Sequence, residues 1–116
     1  MDEQRKFVRH PLEGKVVLKL KDGSVNSFTT DLVDISLVGM GVYAKEKLES
    51  GITANFVMMI KLHEKPVTGV SKVKYCLEVK KQDASIYRVG LVFVSIAEID
   101  VIPRIIERIQ LDSPQK

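Results

Sequence analysis

The chain has 116 residues, a length that favours a single domain. Its 18 lysine and arginine residues against 15 acidic residues give a net charge of +3, which tolerates an anionic ligand but is not the concentrated basic stripe of a duplex-binding protein. Apolar runs are shorter than the roughly 20 residues of a membrane-spanning helix, and the first residues lack the apolar core of a secretory signal. We therefore expect a cytoplasmic protein without membrane insertion. The single cysteine, Cys76, cannot form an internal disulfide and fits a reducing compartment.

The first 14 residues are polar and include Pro11 and Gly14, so we expect an irregular leading segment there. Six stretches rich in β-branched and aromatic residues then predict short strands. In chain order they cover residues 15–20, 25–33, 40–44, 54–62, 67–79 and 86–95. Asp22-Gly23, between the first two stretches, is a strong signal for a hairpin turn.

Turn-forming or polar residues separate the later stretches. They predict connections at residues 34–39, 49–51, 63–66 and 80–85. In the last predicted strand, Val89, Leu91 and Phe93 alternate and share one face.

The hydrophobic period changes after the last strand. Isoleucines recur at spacings of three and four, at positions 99, 102, 105, 106 and 109. This pattern predicts an amphipathic helix packed on the sheet. Ser95 and Glu98 have the spacing of a capping box that would begin it. Pro103 lies inside the pattern and predicts a kink or a fresh helix start.

Six or seven short strands followed by one helix predict a mainly β fold. A small antiparallel β-barrel capped by a C-terminal helix is the natural closure, because a barrel removes exposed sheet edges. We assign residues 15–112 to this barrel and its helix, and residues 1–14 to a flexible, ligand-clasping segment of the same domain.

Two arginines spaced by four, Arg5 and Arg9, lie in the leading segment. A guanidinium group can grip phosphate oxygens bidentately, read the O6/N7 edge of guanine or stack on a purine. Two such groups could close around one phosphate-bearing purine ligand. The alternative is a solvated basic N-terminus.

A second motif, D-x-S-x-x-G, is formed by Asp34, Ser36 and Gly39. On a strand, Asp34 and Ser36 would share a face. The carboxylate could accept hydrogen bonds from guanine N1–H and N2–H₂, and the hydroxyl could donate to a phosphate or base acceptor. Gly39 would permit a left-handed turn residue and close backbone approach. The alternative is an Asx or Ser turn joining two strands, with Gly39 as a bulge.

The order of these motifs, R-x-x-x-R and then D-x-S-x-x-G, resembles the signature of the PilZ domain family. PilZ domains are small β-barrels that bind the bacterial second messenger cyclic di-GMP. Gly90 followed three residues later by Phe93, with a helix after that strand, is also similar to the family. The resemblance extends from Arg5 to about Ile109.

The resemblance implies a non-catalytic receptor. Arg5 and Arg9 would clasp guanine and phosphate from a segment that orders on binding, Asp34 and Ser36 would hold a guanine edge from the barrel, and Gly39 would shape the turn. Ordering the segment costs about 1 kcal/mol per residue, which charge-assisted bonds of about 1.5–3 kcal/mol each can offset. Such ordering would signal to an unidentified effector protein; motility, biofilm exopolysaccharide and surface attachment are themes of the family.

Gln4 stands where many members of the family carry another arginine, at a position linked to whether one or two stacked ligand molecules bind. Glutamine favours one molecule, because a cation for the second is missing. Lys6 could partly substitute for that cation.

Two other functions stay open: a ligand-independent interaction adaptor of the same fold, and a nucleic-acid-binding small barrel. Aromatic residues make up only 6% of the chain and tryptophan is absent, so few side chains could stack on bases and we expect no DNA or RNA partner.

We expect no enzymatic activity, metal or cofactor. His10, His63 and Cys76 lack metal-ligand spacing, and no set of nucleophile, base and oxyanion donors is visible.

Overall fold

The computed structural model of the protein describes residues 7–21 and 26–112. The strands and the helix are β1 (His10–Leu20), β2 (Ser27–Ile35), β3 (Gly39–Ala44), β4 (Thr53–Ile60), β5 (His63–Lys81), β6 (Ala84–Ile96) and α1 (Val101–Asp112). The strands form a closed antiparallel barrel in the order β1-β2-β3-β6-β5-β4. This confirms the predicted mainly β barrel with a C-terminal helix.

The barrel encloses one apolar core because the strands alternate between inward and outward side chains. Inward residues of every strand are buried, among them Val16, Leu32, Val42, Phe56, Val73 and Leu91. Val89 and Leu91 are buried and Phe93 packs against the same core, which confirms the predicted shared face of the last strand. The outward positions of the same strands are therefore available to build a site.

The helix α1 covers part of this core with one apolar face. Its buried residues are Val101, Ile102, Ile105 and Ile106. Of the two outcomes predicted for Pro103, the fresh helix start is confirmed and the kink is wrong, because the helix begins at Val101. The proline is the third residue of the helix, within the first turn, where backbone N–H groups have no intrahelical acceptor.

The predicted capping box is also wrong. Ser95 lies in β6 and pairs with Val70 of β5, so it continues the sheet. Ile99, assigned to the apolar face from its spacing, precedes the helix and is 88% exposed.

Two strands, β1 and β5, begin four or more residues before their predicted starts at residues 15 and 67. β1 begins at His10 because Pro11 sits beside an irregularity in the β1–β2 ladder, where a strand accommodates proline. Residues 10–14, expected in the irregular segment, are therefore part of the barrel. β5 begins at His63, so the expected loop at residues 63–66 is wrong; the chain turns at residues 61–62, and Ile60 pairs with His63.

The outcomes at the turns differ. The predicted turn at residues 49–51 is confirmed, and Gly51 has a φ of 94° that favours glycine. The connection between β5 and β6 is shorter than expected, with a turn at residues 82–83. The Asp22-Gly23 hairpin signal lies outside the described residues.

Candidate ligand-binding site

Residues from the two sequence motifs meet on the outside of the barrel. Arg9 precedes the first residue of β1, and Asp34 projects from β2, where its backbone pairs with Pro11. Arg9 Nη1 donates a hydrogen bond to Asp34 Oδ1 at 2.9 Å, although 25 positions separate the two residues. Both side chains are partly buried, with 25% and 14% exposed, so solvent and salt screen this pair less than a surface pair.

A second arginine, Arg88 of β6, holds the other oxygen of the same carboxylate. Its Nη2 donates to Asp34 Oδ2 at 2.8 Å, and 21% of its side chain is exposed. One carboxylate therefore lies between two guanidinium groups, with one oxygen bonded to each. Arg88 lies in neither sequence motif and was not predicted as a site residue. The available signal was alternation: Val89 points inward, so Arg88 and Gly90 face outward in the same strand.

Gly41 of β3 makes this contact possible. β3 lies between β2 and β6, and Gly41 pairs with Asp34 on one side and with Gly90 on the other. A Cβ atom at Gly41 would collide with Arg88 Nη1 and would lie 2.6 Å from Asp34 Oδ1. Gly41, which was not predicted as a site residue either, keeps β3 free of a side chain where the arginine crosses it.

Tyr43, two residues further along β3, contacts the same arginine. It pairs with Arg88 in register, and the guanidinium carbon lies 5.7 Å from the centre of its ring. Lys81 Nζ lies 5.6 Å from the same ring centre. Both distances are within the range of a cation–π interaction, so Tyr43 contributes to the position of Arg88.

The hydroxyl of Ser36 is used within the turn between β2 and β3. Ser36 Oγ accepts a hydrogen bond from the Val38 N–H at 3.2 Å, and the Ser36 N–H donates to the Gly39 carbonyl at 2.8 Å. Ser36 is 3% exposed. The expected alternation with Asp34 does not reach Ser36, because β2 ends at Ile35; the geometry is that of a Ser turn.

Gly39 shows the predicted close approach, since a Cβ atom there would collide with the carbonyl oxygen of Leu91. The predicted left-handed conformation is wrong. Among the described glycines only Gly51 has a positive φ. The remaining residues of the predicted site, Gln4, Arg5 and Lys6, lie outside the described part of the chain.

A separate groove of about 900 Å³ lies between the start of β1, the end of β4 and the end of α1. Its lining includes Leu12, Leu32, Met59 and Ile109, but not Arg9, Asp34 or Arg88. It is thus distinct from the arginine–carboxylate site, where the charged groups converge.

Residues 7–21 and 26–112 lack two other features. No cluster of three or more His, Cys, Asp or Glu side chains there could hold a metal ion. No helix in that part of the chain is long and apolar enough to span a membrane.

The barrel, its C-terminal helix and an outward cluster of two arginines and one carboxylate define a small β-barrel domain with a charged site on its surface. The family model described as the PilZ domain matches residues 3–109. The chain therefore belongs to the PilZ domain family. A search of curated proteins found no match.

Solved structures share this fold at low sequence identity. The PilZ domain of YcgR from Escherichia coli, solved with c-di-GMP, has a TM-score of 0.73 and 21% identity, with 95% of this chain and 94% of that chain covered. The Bacillus subtilis inhibitor of motility MotI/DgrA has a TM-score of 0.73 and 18% identity, with 97% and 53% covered. The K. pneumonia MrkH–c-di-GMP complex has a TM-score of 0.71 and 22% identity, with 93% and 50% covered. This chain spans about half the length of the latter two proteins.

Proposed function

We propose that this chain is a non-catalytic receptor for cyclic di-GMP, with a ligand site formed by Arg5, Arg9, Asp34, Ser36 and Gly39. The hydrogen bond between Arg9 and Asp34, at 2.9 Å, is the observation that carries this proposal. It joins the guanidinium group of Arg9, the residue before the first strand, with the carboxylate of Asp34 on the outer surface of the barrel. The two motifs can therefore act on one ligand.

The chemistry of the site suits a guanine nucleotide. An ionised carboxylate only accepts hydrogen bonds, and guanine presents N1–H and N2–H₂ donors to it. Arginine offers bidentate, charge-assisted bonds to phosphate oxygens. Cyclic di-GMP contains both groups. Ser36 Oγ lies 3.5 Å from the Gly39 carbonyl oxygen, at the limit of a hydrogen bond, so a ligand acceptor would be a better partner for its proton.

The solved relatives support the same ligand class. The YcgR domain and MrkH were both solved with c-di-GMP, and this chain shares their fold. We extend the ligand to this chain because Arg9 and Asp34 supply the donors and the acceptor that such a molecule needs.

Binding would require Arg9 to exchange its bond to Asp34 for bonds to the ligand. The part of the leading segment that precedes β1, residues 1–9, would then order around the nucleotide and form a surface for an effector protein. Glutamine at position 4 favours one ligand molecule per chain. The receptor needs no chemical step, because the ordered segment is itself the signal.

Titration calorimetry of the full chain with cyclic di-GMP tests this proposal. We expect saturable binding that Arg9→Ala and Asp34→Asn each weaken by about tenfold or more, the effect of one lost charge-assisted hydrogen bond. Asp31→Asn is the matched control, because Asp31 lies on the same strand in an exposed pair with Lys15 at 2.5 Å. No binding heat from the wild-type chain would contradict the proposal.

A parallel titration with single-stranded nucleic acid tests one of the two other open functions, the nucleic-acid-binding barrel. MrkH is described as a c-di-GMP-dependent transcription regulatory factor. Salt-sensitive binding of nucleic acid without binding of the dinucleotide would favour the nucleic-acid barrel.

A further inference from the structure

We infer that Arg88 determines base specificity in this site: it fixes the orientation of the Asp34 carboxylate and supplies a hydrogen-bond donor to O6 of guanine. The inference rests on the proposed function, because it concerns the purine edge that Asp34 would contact. It adds a residue that neither sequence motif contains.

The two arginines on Asp34 are anchored differently. Arg88 lies within β6, with its backbone paired to Tyr43 of β3 and to Leu77 of β5. Arg9 precedes the first residue of β1. Asp34 Oδ2 is therefore bonded to an arginine within a strand of the barrel, and Asp34 Oδ1 to an arginine that precedes the first strand. Oδ1 is the oxygen that exchanges its partner, while Arg88 keeps the carboxylate plane fixed through Oδ2.

Arg88 retains an unused donor next to that oxygen. Its Nη1 is buried and has no hydrogen-bond partner among the residues the structure describes. Leaving a buried donor unsatisfied is costly, so the atom calls for an explanation. Nη1 and Asp34 Oδ1 both lie close to Gly41, since each would contact a Cβ atom placed there. A donor and an acceptor thus lie side by side at the same point of β3.

This pair complements the edge of guanine that carries O6 and N1–H. O6 accepts and N1–H donates, which matches the donor Nη1 and the acceptor Oδ1. Adenine presents the reverse pattern, with an amino donor in place of O6 and an N1 acceptor in place of N1–H. Its N1 lone pair would face the lone pairs of Asp34 Oδ1. Because Nη1 is buried, the ligand would reach it when Arg9 leaves Oδ1. The same exchange then frees both atoms of the recognition pair.

The test compares cyclic di-GMP with cyclic di-AMP on the full chain. We expect Arg88→Gln to weaken cyclic di-GMP binding by about tenfold or more and to narrow the ratio of the two affinities, because adenine gains nothing from Nη1. Arg88→Lys retains the positive charge but lacks the planar guanidinium group. We therefore expect its cyclic di-GMP affinity and its affinity ratio to stay close to those of Arg88→Gln. A role limited to phosphate attraction would let lysine restore both.

Arg104→Gln is the matched control, because it removes one arginine charge and an exposed 2.7 Å pair with Asp100, the residue that precedes α1. We expect this control to bind cyclic di-GMP with wild-type affinity and to keep the wild-type ratio of cyclic di-GMP to cyclic di-AMP affinity. Tyr43→Leu offers a second route that leaves every charge in place: losing the ring should lower the affinity ratio, and Tyr43→Phe should retain it. Thermal denaturation shows whether each variant is folded.

The outcomes separate the two proposals. If wild type binds cyclic di-GMP and Asp34→Asn does not, but folded Arg88→Gln and Tyr43→Leu keep the wild-type affinity and ratio, the role of Arg88 is overturned and the receptor stands. If wild type binds neither dinucleotide, the proposed function itself fails.

Discussion

Asp34 and Arg88 contact each other across an intervening strand. Asp34 Oδ2 and Arg88 Nη2 are 2.8 Å apart, although their strands, β2 and β6, are both neighbours of β3 and not of each other. The contact exists because Gly41 leaves β3 without a side chain at the crossing. Arg88, in the last strand, thereby joins a site whose other residues come from the two motifs in the first third of the sequence.

Asp34→Asn should lower both ligand affinity and stability. The amide cannot balance two guanidinium groups, and Arg9 and Arg88 would then face each other with like charges in a partly buried setting. We expect a loss of about 1–3 kcal/mol in the free energy of unfolding, measured by chemical denaturation. Asp31→Asn should change stability by less than about 1 kcal/mol, as expected for an exposed pair. Equal losses from the two variants would contradict this account.

Gly41→Ala should destabilise the barrel by displacing Arg88. The added methyl group would overlap Arg88 Nη1 and approach Asp34 Oδ1, and overpacking of this kind costs about 1–3 kcal/mol. A double-mutant cycle with Arg88→Gln measures the coupling, since a shorter side chain relieves part of the overlap. We expect the alanine to cost less in the glutamine background, and strictly additive effects would show that the two residues are independent.

Gln4→Arg should raise the number of bound ligand molecules. An added guanidinium beside Arg5 would supply the cation that a second stacked cyclic di-GMP needs. Calorimetry should give a stoichiometry near one for the wild type and nearer two for the variant. Gln110→Arg adds the same charge at an exposed position of α1 and should leave the stoichiometry unchanged. A wild-type stoichiometry of two would show that Gln4 does not limit the site.

The helix offers a stability test that is independent of the ligand. Ile105 is 2% exposed in the core beneath α1, and Ile105→Ala should cost about 2–5 kcal/mol through lost burial and a residual cavity. Pro103 is exposed in the first turn, so Pro103→Ala should change the free energy of unfolding by less than about 1 kcal/mol. A large loss from the proline variant would indicate that it constrains the helix in another way.

The strand pattern and the two motifs could be predicted from the sequence because both depend on local spacing. The barrel followed from alternating β-branched residues, and Asp34 was identified by its own motif. The errors arose where tertiary pairing overrides a local signal. Pro11 is accommodated beside an irregularity of β1, and Ser95 continues β6 through its pairing with Val70.

Arg88 and Gly41 could not be identified in the same way. Arg88 lies 54 positions from Asp34, and only the registers of β2 with β3 and of β3 with β6 bring them together. Gly41 is two residues from a motif glycine, yet its role depends on a side chain that crosses it from another strand. Ser36 shows the opposite case, since its motif was visible but its hydroxyl is bonded within the turn.

Calorimetric titration of the full chain with cyclic di-GMP, run in parallel on wild type, Arg9→Ala, Asp34→Asn and Asp31→Asn, tests the proposed receptor function most directly. We expect saturable binding of one molecule to wild type and to Asp31→Asn, with affinity lower by about tenfold or more in the other two variants. An absence of binding heat in the wild type, or undiminished binding by Arg9→Ala and Asp34→Asn, would contradict the proposed function.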